Sequence, residues 1–206
     1  MSSLPSHEVR FRPLFGRILT VVVAVVCAAG LVGVLLTGEL VTIARTAPPT
    51  LLLAVVCWAL FWRPGMSVRP EGVEVVNILR TWHIAWPAIE SLDTRFALTI
   101  RAAGRRISVW AAPAPGVRGA ASLHRADVAN LRESAYAGES VRPGDAANTP
   151  SGQAAEIVRT HWESLRDAGH LASGRIEPGS VRTTWHIGTI VVLAALVVAS
   201  LLGAAL

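Results

Sequence analysis

Lysine is absent from the 206 residues, and all nineteen basic side chains are arginine. That excludes a P-loop lysine, a Schiff-base lysine and a kinase-type ATP-binding lysine. Cysteine is scarce too. Cys27 and Cys57 both fall in apolar runs, read as buried small hydrophobes, and they build neither a disulfide framework nor a CxxC metal pair. HExxH, GxSxG and GxGxxG are all missing. The six histidines (His7, His83, His124, His161, His170 and His186) are too dispersed for metal-ligand spacing. Glu90 and Asp93, three apart on an expected turn, read as solvated surface. No catalytic, cofactor-binding or metal site is expected, and the chain is expected not to be an enzyme.

Charge is also sparse. Only 16% of residues are charged while 52% are hydrophobic, against about 25% charged in a soluble domain. The net charge is +5. The arginines are scattered, and no basic run exceeds two residues, so a nucleic-acid footprint is not expected. Anionic lipid headgroups at a membrane face suit such a chain better.

The hydrophobic residues concentrate near both ends. Residues 18–37 carry no charge and are long enough, at about 1.5 Å per residue, to cross about 30 Å of hydrocarbon. The run is too long for the h-region of a cleaved signal peptide, so it reads as an uncleaved span. Residues 50–62 form a shorter run. Pro48 and Pro49 are expected to start its helix and Pro64 to end it, with Trp58 and Trp62 in an interfacial belt. A re-entrant hairpin arm is the other reading of so short a segment. Residues 187–206 make a third run, led in by Arg182, Trp185 and His186. The runs themselves hold no ionisable side chain other than cysteine, which argues against an ion or proton pathway within one protomer. Arg10, Arg12 and Arg17 precede the first run, fifteen arginines lie from Arg63 to Arg182, and the loop between the first two runs has only Arg45. The positive-inside rule then places the N-terminus and the central segment in the cytoplasm, with the C-terminus outside.

Between residues 66 and 112 the hydrophobic period changes to two, the mark of strands. Ser67–Arg69 turns at Pro70-Glu71-Gly72 into a Val-rich strand. Trp82, Ile84 and Trp86 share one face of the next strand, which Pro87 breaks. Phe96, Leu98 and Ile100, then Ile107, Val109 and Ala111, give two strands of a hairpin around Ala102-Ala103-Gly104. About five antiparallel strands with one apolar side are expected. Val158, Trp162 and Leu165 recur at helical spacing over residues 153–168, with Thr149 or Ser151 as cap and Gly169 as terminator. This helix is expected to cover the sheet, with Trp162 as a core anchor rather than a ligand-stacking ring. A short helix is expected over residues 126–133.

The motifs Arg69-Pro-Glu-Gly-Val73, Trp86-Pro-Ala-Ile89 and Gly104-Arg-Arg106, with the helix from Ile157 to Gly169, resemble the PH-like domain of the actinobacterial low-molecular-weight protein antigen family. The Ala, Arg, Val and Gly richness without lysine fits such a source. The resemblance covers residues 18–171. It implies a membrane protein with a PH-like antiparallel sheet capped by a C-terminal helix, in a family with no established activity. The insertion before the helix and the third span depart from it. The expected organisation is a cytoplasmic tail over residues 1–17, a two-span hairpin over 18–63, the PH-like sheet over 64–112 and a flexible insertion over 113–150. A capping helix over 151–171, a linker over 172–184 and a third span over 185–206 complete it.

Arg101, Arg105 and Arg106 surround the expected hairpin tip. In a PH-like fold such residues can meet phosphate headgroups; a solvated turn is the plainer reading. The function expected is a membrane-anchored binding or scaffold module in the plasma membrane, contacting anionic phospholipid or an unidentified protein partner. The alternative is an accessory subunit of a transport or envelope-biogenesis complex, acting through its spans.

Overall fold

A computed structural model describes residues 9–114, 149–167, 169 and 180–206. In chain order the described elements begin with β1 (Val9–Phe11), α1 (Leu14–Thr37) and α2 (Leu40–Cys57), the last continued by a π-helical turn (Trp58–Trp62). Then come β2 (Gly65–Arg69), β3 (Gly72–Val76), β4 (Arg80–Ala85), a 3-10 turn (Trp86–Ala88), β5 (Ile89–Asp93), β6 (Ala97–Ala102) and β7 (Arg105–Pro113). The chain finishes with α3 (Pro150–Asp167), β8 (Val181–Trp185) and α4 (Ile187–Ala205). These form two units, one built on α1, α2 and α4 and the other on the strands and α3.

The helical unit holds three helices long and apolar enough to cross a membrane: Leu14–Thr37, Leu40–Trp62 and Ile187–Ala205. Their leucines and valines point outward, Leu36, Val26 and Leu201 among them. Helices apolar all round belong in a hydrocarbon solvent. Gly38 ends α1 in the left-handed region, at φ +70°, leaving the connection to α2 only Gly38 and Glu39 long.

The second span corrects the expected 50–62 segment. Its helix begins at Leu40 and runs through Pro48 and Pro49. At 23 residues it reaches about 35 Å, enough for a full crossing. Pro48 withholds the helical donor from the Ala44 carbonyl. At that same carbonyl α4 comes close through Gly203, where a Cβ would collide with the oxygen. The longer span also takes in Arg45, which is exposed near its start and can extend toward the headgroups. At the other end of α2, a Cβ on Gly16 of α1 would lie 2.8 Å from the Phe61 carbonyl oxygen. Neighbouring helices are therefore antiparallel, and the starts of α1 and α4 share a side with the end of α2.

The second unit contains two sheets, not one of about five strands. The larger has the order β1-β2-β3-β4-β8 and the smaller β5-β6-β7. Each has one apolar face, and the two faces meet. Met66, Val68, Val73, Val75, Trp82 and Ile84 come from the first; Leu98, Ile100, Ile107 and Val109 come from the second. Ala154, Ala155 and Val158 of α3, all fully buried, complete this core. Thr149 caps α3, its hydroxyl accepting from Gly152 N–H at 3.0 Å, and Gly169 at φ +73° donates to the Arg166 carbonyl.

Several expected boundaries shift. The tail contributes β1, which pairs with β2 through Val9↔Val68 and Phe11↔Met66. The segment expected as a linker contains β8, beside β4, with Ala85 N–H donating to Ser180 O at 2.8 Å. β4 ends before Pro87, and the 3-10 turn carries the chain into β5 of the smaller sheet. Glu90 and Asp93 therefore lie on a strand. Phe96 precedes β6 and is 79% exposed, instead of sharing the buried face of Leu98 and Ile100. Trp162 packs against the core but is only partly buried. The expected helix over 126–133 and most of the insertion lie outside the described residues, as do residues 170–179.

Candidate functional site

β6 and β7 meet in a two-residue turn. Ala102 faces Arg105 and Arg101 faces Arg106, leaving Ala103 and Gly104 at φ +47° and +72°. Two positive φ values in a two-residue loop give a turn whose twist matches that of the strands. The tip is tied down. Ala103 N–H donates to the Ala88 carbonyl at 3.1 Å, and Gly104 N–H to Glu90 Oε1 at 2.8 Å. Glu90 thus positions the turn through its backbone.

The structure brings all three sequence-singled arginines to this one tip. Ile100 and Ile107 are directly paired and buried, so by alternation Arg101 and Arg106 project together on the opposite face of the small sheet. Arg101 is half-buried, while Arg105 and Arg106 are exposed. Like charges directly opposite one another on a sheet oppose folding. Among the described residues, no carboxylate forms a salt bridge with any of the three. The arrangement is a fixed cationic edge suited to an anionic surface.

A second polar cluster escaped the sequence reading. On the outer face of the larger sheet, register places Arg10, Ser67, Glu74 and His83 in one transverse row. Arg69 joins it by an ion pair to Glu74 at 2.7 Å, and His83 Nδ1 stands 3.6 Å from the same carboxylate oxygen. Of these, Arg69, Glu74 and His83 line an open groove of about 710 Å³ together with Arg182, Gly72 and Ala85. Period-two alternation already put Glu74 and His83 outward; the missing information was the register that makes them neighbours. Here cations and carboxylates are mixed, and exposed pairs of this kind contribute about 0–1 kcal/mol. The hairpin therefore remains the stronger candidate for an anionic partner.

No curated protein and no solved structure matches the chain. A family model described as Bacterial PH domain matches residues 63–163. The matched stretch contains β2 to β7 and most of α3, the elements that build the core. The antigen family is a finer attribution, carried by the sequence motifs alone. The fold is a PH-like pair of antiparallel sheets with a helix against them, accompanied by three apolar helices. Residues 63–163 are thus similar to a bacterial PH domain, in a chain that also carries three helices long and apolar enough to cross a membrane.

Proposed function

We propose that the chain is a non-enzymatic, membrane-anchored binding or scaffold module, of the antigen-family type and of actinobacterial origin. Its PH domain faces the cytoplasm and engages anionic phospholipid at the inner leaflet through Arg101, Arg105 and Arg106. A protein partner of unknown identity completes the scaffold reading. The observation that supports it is the Arg101↔Arg106 pair: like charges held opposite each other in a tethered turn, with no salt bridge among the described residues. Each arginine near an anionic surface contributes about 1 kcal/mol. Three amount to roughly 3 kcal/mol, about a hundredfold in the ratio of docked to undocked domain. That orients a domain already anchored, and is too weak to recruit a free one firmly.

The test uses the full chain in nanodiscs, with a fluorophore at Ser108→Cys and a quencher in the lipid headgroup region. Quenching is expected in anionic but not zwitterionic lipid, and raised salt should relieve it. The R101A/R105A/R106A variant should lose it as well. Equal quenching of variant and parent would leave the tip a solvated turn.

Orientation is tested separately. The arginine asymmetry places the N-terminus and residues 63–182 inside and Leu206 at or beyond the outer face. A cysteine at Arg118 should resist an impermeant thiol reagent in intact cells and react after lysis. Labelling before lysis would reverse the orientation.

A further inference from the structure

We propose that Arg63, at the end of the second span, is the core of a binding site for the phosphate of one anionic phospholipid. This site is separate from the arginine hairpin and depends only on the three-helix unit.

Arg63 donates through Nη1 to Thr189 Oγ1 of α4. Its guanidinium carbon lies 5.4 Å from the centre of the Trp58 ring. A guanidinium carries five N–H donors in a planar fork, so most remain for another acceptor. Among the described residues no carboxylate pairs with it. Burial pushes Arg63 below its ordinary pKa, the sign of a cation partly withdrawn from water without an anion to compensate. A withdrawn charge is tolerated when paired and hydrogen-bonded, and an acceptor from outside the chain supplies both.

The surroundings have the same character. His186 turns Nδ1 to the Ile78 carbonyl at 3.2 Å, so this nitrogen carries the proton and donates. Burial is the main cause lowering the His186 pKa; the Ile78 hydrogen bond raises it, and the Arg63 charge lowers it further. Arg17 lies 4.7 Å from the Trp62 ring centre, and Arg80 lies 5.3 Å from that of Trp185. Three arginine–tryptophan pairs thus lie on the shared side, two on rings of the second span and one, Arg80 on Trp185, just ahead of α4. Tryptophan rings favour the headgroup level of a bilayer. Cation–π stacking holds the guanidinium plane against the ring and leaves its N–H edge for oxygen acceptors. At that depth the abundant anionic acceptor is the lipid phosphodiester, whose oxygens match the guanidinium fork.

The purified full chain in neutral detergent would be titrated with phosphatidylglycerol and with phosphatidylcholine, and retained lipid counted by native mass spectrometry. Phosphatidylglycerol should be retained preferentially at one site. Arg63→Gln should weaken that binding at least tenfold, and Arg63→Lys, keeping charge without the fork, should fall between. Inorganic phosphate should not displace the lipid, because the acyl chains hold it against the helices. The R101A/R105A/R106A variant should retain lipid like the parent, so failure here is distinguishable from failure of the hairpin reading. Parent-like retention by Arg63→Gln would overturn the assignment. Should that variant not fold, parent-like retention by Arg63→Lys would overturn the forked contact. Displacement by inorganic phosphate would overturn the lipid as the ligand.

Discussion

Trp86→Ala is expected to lower the stability of the PH-like domain by about 3–5 kcal/mol, the usual cost of removing a large buried ring. Trp86 is 3% exposed, and its ring lies parallel to that of His161 at 6.0 Å. It therefore joins the turn after β4 to α3. Its Nε1 donates to the carbonyls of Arg69 and Pro70, both at 3.1 Å, and so braces the β2–β3 turn as well. Alanine empties the space and strips a donor from two carbonyls at once. Phenylalanine keeps most of the ring and loses only the donor, so Trp86→Phe should cost about 1–3 kcal/mol. Denaturation of the full chain in detergent, followed by near-ultraviolet circular dichroism, separates the two. A domain typically has only about 5–15 kcal/mol in hand, so the alanine variant should melt far earlier. If its midpoint matches the parent's, Trp86 does not link the turns to the helix.

Gly72→Ala should destabilise by about 3 kcal/mol, the upper end for forcing atoms into a packed site. Gly72 lies opposite Ala85 in the β3–β4 pairing. A Cβ there would collide with the Ile84 carbonyl oxygen and come within 2.9 Å of the Ala85 Cα. Both obstacles are backbone, so relief means parting the strands. Gly104→Ala provides the contrast. Space around Gly104 is open, and only its φ of +72° resists a side chain, a penalty of about 1–2 kcal/mol. Equal losses in the two variants would show that β3 and β4 lie farther apart than described.

Hydrophobic period made the centre of the fold legible. Val73 and Val75, Trp82 and Ile84, Leu98 and Ile100, and Ile107 and Val109 all alternate cleanly, and all are buried. The stripe of Val158 and Leu165 likewise identified α3. What escaped was short, polar or non-local. β5 reads Ile-Glu-Ser-Leu-Asp just after a proline, with acids where an edge strand tolerates them. β1 has three residues, and β8 offers Val-Arg-Thr-Thr-Trp; neither is apolar enough to announce a strand. Pro48-Pro49 looked like a helix start because proline suits the first turn, yet the helix continues through both. At the candidate site the arginines were readable but their pairing was not. A three-residue turn was expected, and the two-residue turn observed is what sets Arg101 against Arg106. The Arg63–Thr189 hydrogen bond joins residues 126 apart in the chain, and no local pattern can report that.

The two edge strands of the larger sheet also set an order of assembly. β1 is made before the first span and must wait for both α1 and α2 before β2 exists to pair with it. β8 follows α3 and reaches back to β4 across nearly the whole domain. Pairings this distant in sequence close slowly. During synthesis, a chain that has emerged only as far as β7 presents the open edge of β4, with its backbone N–H and C=O groups unpaired. An open edge of that kind invites pairing with a neighbouring nascent chain, so the vulnerable interval in the life of this protein is the one between translation of β4 and arrival of β8.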